Sequence, residues 1–111
     1  MKREDSICPI AKSLDIFGDK WSLLIIRDLM AGRRLFKEFL ASPEGIATNI
    51  LADRLKRLEL HNLVKVKETS QNAKRKSYQL TESGKALYPV LDAMATWGLT
   101  HIAGTEKMIV L

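Results

Sequence analysis

Apolar residues recur at helical spacing through the first half of this chain, change to strict alternation for a short stretch, and then return to helical spacing. Ile10, Leu14 and Phe17 follow one another at i, i+4, i+7 behind Pro9, whose missing N–H costs nothing in a first helical turn. This predicts a helix from Pro9 to Phe17, stopped by Gly18. Trp21, Leu24, Ile25 and Leu29 give the apolar face of a second helix, about Lys20 to Ala31, with Asp19 as N-cap and Gly32 as its end. Leu35, Phe36, Phe39 and Leu40 form a short third helix, closed by the turn-forming run Ser42, Pro43, Glu44, Gly45.

A fourth helix runs from about Ala47 to His61. With successive residues about 100° apart, Leu51, Leu55 and Leu58 fall on one line with Ile50 at its shoulder. Asn49, Asp53 and Lys56 fall opposite, with Arg57 near that edge and Arg54 close to the apolar line. After Asn62 the period becomes two, Val64 and Val66 on one face and Lys65 and Lys67 on the other, so a strand with a basic outer side is expected. Thr69 to Lys74 reads as a hairpin tip and Lys76 to Leu80 as the returning strand, Tyr78 and Leu80 inward. Thr81 caps a last helical stretch whose stripe is Leu87, Leu91, Met94 and Trp97 or Gly98, and Pro89 should kink or divide it.

A chain of 111 residues suits one domain, 1–111, with a modest core. No apolar run approaches the length of a membrane helix, and the N-terminus, mixed in charge, lacks the apolar region of a secretory signal. The expectation is a cytoplasmic protein. One cysteine and two distant histidines offer neither an internal disulfide nor a metal cluster, and no paired carboxylates, nucleophile triad or phosphate-binding glycine loop is present. No cofactor, metal or enzymatic activity is expected.

The net charge of +5 changes the picture once located. Between Ala47 and Lys76 lie eight basic and three acidic residues, while the rest of the chain carries ten of each. The whole excess therefore sits on the fourth helix and the hairpin, which favours a polyanionic partner. Helix, helix, short helix, turn, amphipathic helix, basic hairpin, helix is the order of a winged helix-turn-helix: mainly α, with a small β-hairpin wing. There the fourth helix would enter the major groove of double-stranded DNA and the wing would lie on the backbone. A winged-helix module that binds protein or RNA through the same surface is the alternative.

The segments CPIAKSLDIFGDKWSLLIIRDLMAG, RRLFKEF, GIATNILADRLKRLELHNLV and YQLTESGKALYPVLDAMATWG resemble the HxlR family of bacterial transcriptional regulators, from Cys8 to about Gly98. The resemblance implies a dimeric DNA-binding regulator whose N- and C-terminal helices form the subunit contact, with Leu87, Leu91, Met94 and Trp97 at that interface. It also points to a cysteine at the place of Cys8 as a sensor of oxidants or electrophiles in some members. Family members often carry Ser or Thr where Ala47 stands, and an acidic residue plus Gly where His61 and Asn62 stand. Thr48 is therefore a candidate for the capping duty, and Asn62 for the left-handed helix end.

The DNA-binding candidates are Thr48, Asn49, Asp53, Arg54, Lys56 and Arg57 on the helix and Lys74, Arg75 and Lys76 on the wing. Asn49 suits adenine N6/N7, arginines suit guanine or phosphate, and the wing cations suit phosphates, which position without reading sequence. Arg33 and Arg34 are further candidates for the backbone. Cys8 would occupy the cap of the first helix, where the positive dipole end favours a thiolate. Trp21 and Trp97 read as core or interface anchors, His61 as a charge at a helix end and His101 as interface or surface.

Overall fold

The computed structural model describes residues 5–68 and 76–107. Their elements, in chain order, are α1 (Pro9–Phe17), α2 (Ser22–Met30), α3 (Phe36–Leu40), α4 (Thr48–Leu60), β1 (Val64–Glu68), β2 (Lys76–Leu80), α5 (Glu82–Lys85) and α6 (Tyr88–His101). This is a winged helix-turn-helix, mostly helical with a two-stranded antiparallel hairpin. The expected hairpin tip, Thr69 to Lys74, and Arg75 after it lie outside the described residues.

The core forms where the apolar faces meet: Ile25, Ile26 and Leu29 of α2, Phe39 of α3, Leu51, Leu55 and Leu58 of α4, Val64 of β1 and Tyr78 of β2. The line Leu51, Leu55, Leu58 is the buried face of α4, as its spacing indicates. Phe39 and Tyr78 meet edge to face, ring centroids 6.1 Å apart, and so join α3 to the wing. Burial holds the Tyr78 hydroxyl above its ordinary pKa, with a further contribution from the charge of Glu59.

Three corners set the position of α4 and the hairpin. At its end, Asn62 takes φ 59°, and the N–H of Leu63 returns to the Leu58 carbonyl at 2.9 Å, so Asn62 supplies the left-handed residue in place of glycine. At the hairpin root, Val64 pairs with Leu80 and Lys65 with Gln79. There the hydroxyls of Thr81 and Ser83 donate to the Asn62 carbonyl at 2.6 and 2.8 Å, and Thr81 Oγ1 accepts the N–H of Gly84. Gly84 is buried so closely that a Cβ there would lie 2.2 Å from the Leu63 carbonyl oxygen. Ahead of α3, the N–H of Tyr78 donates to the Arg34 carbonyl at 2.8 Å and Leu35 bridges to Ser77. The wing is thus fastened to the polypeptide on both sides of the helix-turn-helix.

Pro89 divides the last helical stretch: α5 ends at Lys85, and α6 starts anew at Tyr88 with the proline in its first turn, where no N–H is needed. α6 buries only Leu91 and α1 buries no residue. Their exposed apolar side chains include Ile10, Leu14, Val90, Met94, Trp97 and Leu99, of which Ile10 is 71% and Trp97 61% exposed.

Candidate nucleic-acid interface

α4 is held by its inner face and by ion pairs at its flank, and both leave its outer face free. Asp19, between α1 and α2, accepts the N–H groups of Trp21 and Ser22 at 3.0 Å each and the Ser22 hydroxyl at 2.6 Å; the expected cap position moves from Asp19 to Trp21, because α2 starts two residues later than its apolar spacing indicates. The same carboxylate receives Arg54 Nε of α4 at 2.9 Å. Burial raises the Asp19 pKa, but hydrogen bonds from the Ser22 hydroxyl, Arg54 and the Trp21 and Ser22 N–H groups together hold it below the ordinary aspartate value. The Arg54 guanidinium also meets Asp53. Lying beside the apolar line, the Arg54 guanidinium is thus engaged by Asp19, just ahead of α2, and is half-buried.

A second polar knot holds the turn that leads into α4. Asp28 is buried, and its carboxylate receives the Ser42 hydroxyl, Arg27 Nε and Nη2 at 3.1 and 2.9 Å, and Arg33 Nη1 at 3.3 Å. Arg27 reaches on to Glu44 with two bonds of 2.9 and 2.7 Å. The Arg27 hydrogen bonds hold the Glu44 carboxyl below its usual range against the opposing effect of burial. Arg33 therefore faces Asp28, and Arg34 Nη1 donates to the carbonyls of Leu29 and Arg33 at 2.7 and 2.8 Å. Neither engagement was visible in the sequence, because the partners stand far apart along it or belong to the backbone.

Glu38 closes the start of α3 by accepting the N–H groups of Arg34 and Leu35 at 3.0 and 2.8 Å, which lower its pKa. At α4 the cap position falls on Ala47, with extended backbone and no side-chain cap bond. The capping duty considered for Thr48 is thus not performed, since Thr48 is already the first helical residue; its side chain is exposed.

Thr48, Asn49, Asp53 and Lys56 are all exposed on α4. Leu60, 76% exposed, continues the outward line of Asn49, Asp53 and Lys56, which charge reasoning alone passes over. Arg57 is half-buried, with Nη2 3.4 Å from the Asp15 carbonyl of α1. On the wing, Lys76 is exposed and stands opposite Glu68 in the hairpin register. Cys8 is exposed at the N-cap of α1, and its sulfur makes no cap bond. The four interface candidates divide: Leu87 and Leu91 are buried in the chain's own core, whereas Met94 and Trp97 are exposed. The stripe runs from core to surface: Leu87, at the N-cap of α6, and Leu91 belong to the core cluster, and no described residue further along α6 does. Among the described residues no helix is long and apolar enough to cross a membrane.

A helix-turn-helix braced from behind, with a polar exposed face and a hairpin at its side, defines a winged-helix transcriptional regulator. The chain belongs to the HxlR-like helix-turn-helix family, whose sequence model matches residues 16–106. It is 35% identical over 100 residues to the HTH-type transcriptional regulator YvaP of Bacillus subtilis, covering 89% of this chain and 93% of YvaP. The crystal structure of PA1607 matches all of this chain and 78% of that one, with a TM-score of 0.86 and 38% identity. The reduced form of the transcriptional regulator YodB from B. subtilis matches 91% of this chain and all of its own, at TM-score 0.72 and 32% identity. YodB has also been solved after diamide treatment.

Proposed function

We propose that this chain is a cytoplasmic, homodimeric, sequence-specific DNA-binding regulator, with α4 in the major groove and the hairpin on the flanking backbone. The observation that carries the reading is the division of α4. Leu51, Leu55 and Leu58 are wholly buried, Arg54 is tied to Asp19, and Asn49 and Lys56 stand exposed on the opposite side. A helix so presented fits a groove that admits it, and Asn49 near its N-terminal end is the residue placed to read a base. Thr48, Lys56, Arg57 and the wing cations Lys74, Arg75 and Lys76 serve the backbone; Asp53 keeps Arg54 in place, and Arg54 positions the helix.

Homodimerisation is supported by α1 and α6. A 9-residue helix that packs only Ile16 and Phe17 partly against the core and a 14-residue helix that buries one side chain are marginal in water on propensity alone. Their exposed apolar residues supply the missing face when a second copy covers them.

Redox control at Cys8 is supported by its exposure at the start of α1, on the proposed subunit contact. Solved reduced and diamide-treated forms of the related YodB make oxidation the natural question. One cysteine per chain restricts a disulfide to the partner subunit's Cys8 or to a small thiol, and either link would turn the two α4 helices relative to each other.

Selection from random-sequence duplexes tests the whole reading. Enrichment of a two-fold symmetric site with half-sites about one or two helical turns apart is expected. Affinity without sequence preference, lost steeply with salt, would return the chain to a non-specific polyanion binder.

A further inference from the structure

We propose that the cavity between the end of α2, the root of the hairpin and the start of α6 binds a small organic anion, a carboxylate carried on an apolar body. The cavity holds about 410 Å³, within the range typical of small-molecule sites. Its rim carries three cations from three different parts of the chain: Arg34 after α2, Lys65 on β1 and Lys85 at the end of α5. Among the described residues no carboxylate lines it. Its apolar surface includes Met30, Leu80 and the ring of Tyr88.

The cations are arranged for a ligand more than for each other. Arg34 is the anchor. Its Nη1 is fixed by the Leu29 and Arg33 carbonyls, which orients the planar fork before any ligand arrives and lowers the ordering cost of a bidentate contact. Lys85 Nζ lies 3.5 Å from Glu82, but both side chains are well exposed, so the pair is weak and readily exchanged. Lys65 is exposed beside Gln79, its neighbour across the hairpin, whose amide adds a polar partner. Three like charges around one concavity repel, and one anion relieves all three. The apolar walls ask more than a bare ion: inorganic phosphate would leave Met30, Leu80 and Tyr88 uncovered.

Of the residues considered for DNA only Arg34 lines the site; those of α4 and Lys76 do not. Lys65 belongs to the second residue pair from the hairpin root, about 10 Å along the strand from Glu68 and Lys76 at the far end of the described ladder. An occupant there would touch α2, the hairpin and the α5–α6 corner together. It would thereby couple the wing to the helix that carries the exposed apolar face. That consequence rests on the DNA-binding reading; the binding itself does not.

Titration of the isotope-labelled full chain, free of DNA, followed by amide shifts, tests this with 2-naphthoate, 2-naphthamide and inorganic phosphate as probes. Saturable shifts at Met30, Arg34, Gln79 and Tyr88 are expected with 2-naphthoate, with at least tenfold weaker binding of the neutral amide and of phosphate. Lys65→Gln combined with Lys85→Gln should weaken 2-naphthoate at least tenfold without moving the thermal midpoint. No saturable shift at those amides overturns the proposal. So does equal binding of naphthamide, which would mean a plain apolar crevice, or equal binding of phosphate, which would mean a plain cationic patch. A short duplex that displaces 2-naphthoate from the same amides would assign the cavity to the nucleic-acid backbone instead. Because every other arm uses free protein, failure to find an operator leaves this outcome readable on its own.

Discussion

Arg54 Nε on α4 lies 2.9 Å from Oδ2 of Asp19, whose carboxylate also accepts the Trp21 and Ser22 N–H groups at the start of α2. One carboxylate thus holds the start of one helix and the flank of another, and the side chain nearest the apolar line of α4 becomes a brace. Asp19→Ala should cost about 1 to 2 kcal/mol, chiefly through the N–H bonds lost at the start of α2. Arg54→Ala should cost less, with a coupling between the two of about 0.5 to 1 kcal/mol in a double-mutant cycle. Strictly additive denaturation energies would mean that the pair is geometry without energetic linkage.

Acid should loosen the same braces. Asp19, Glu38 and Glu44 all have folded-state pKa values below their ordinary ones: Asp19 through hydrogen bonds that overcome burial, Glu38 through the Arg34 and Leu35 N–H groups, Glu44 through Arg27. A depressed carboxylate binds fewer protons folded than unfolded, so its stabilisation is complete above the unfolded value and is lost as pH falls through the folded one. The stability curve should be flat with respect to these groups near neutrality and decline from about pH 5 downward. Glu44→Gln should reduce that decline. Chemical denaturation at a series of pH values would expose an error here as an unchanged slope.

Gly84 is required by the space around it and not by its backbone angle. A methyl group there would meet the Leu63 carbonyl oxygen at 2.2 Å, where backbone cannot yield cheaply. Gly84→Ala should therefore destabilise by about 1 to 3 kcal/mol and lower the thermal midpoint. A neutral result in calorimetry would show that the α5 turn is free to shift away from the α4–β1 corner.

Much of this fold is legible in the sequence, for a physical reason. A helix or strand buries one face, and burial forces a period, so Leu51, Leu55, Leu58 and the alternation at Val64 and Val66 mark their elements directly. Asn62 could be read as a helix end because few residue types tolerate its conformation. The polar braces have no period. Ser42 stands 14 residues from Asp28, Glu44 stands 17 from Arg27, and Arg54 stands 35 from Asp19. Nothing local distinguishes these side chains from solvated ones, so Arg54 reads as a free cation until the tertiary structure supplies its partner. Leu87 and Leu91 show the converse: a stripe on one helix does not say where the subunit's own core stops and an external partner begins.

On DNA, reading and positioning should come apart. Asn49→Ala is expected to relax the preference at one position per half-site by about 1 to 3 kcal/mol, leaving other positions alone. Lys56→Gln and Lys76→Gln should weaken binding to all sequences alike and lower the salt slope by about one for each phosphate that is no longer neutralised. A wing variant that altered the preferred sequence, with Asn49→Ala leaving it unchanged, would move the reading head from α4 to the hairpin.

The division between buried and exposed residues on α6 makes the dimer testable without ambiguity from unfolding. Leu91 is buried and holds α6 to its own subunit, whereas Met94 and Trp97, 54% and 61% exposed, are free of the core. Met94→Glu with Trp97→Glu should leave the thermal unfolding of the subunit cooperative and its helical content intact, because neither side chain fills the interior. In a dimer the same change would bury two charges from each subunit against an apolar face, a cost no small interface sustains unless the charges find partners. Sedimentation should then show a monomer where the unaltered chain shows a dimer, and operator affinity should fall because a single recognition helix remains per molecule. Leu91→Glu separates the two roles: it should unfold the chain or melt α6 itself. An unaltered chain that sediments as a monomer at micromolar concentration, free and on DNA alike, would leave α1 and α6 in need of some other cover.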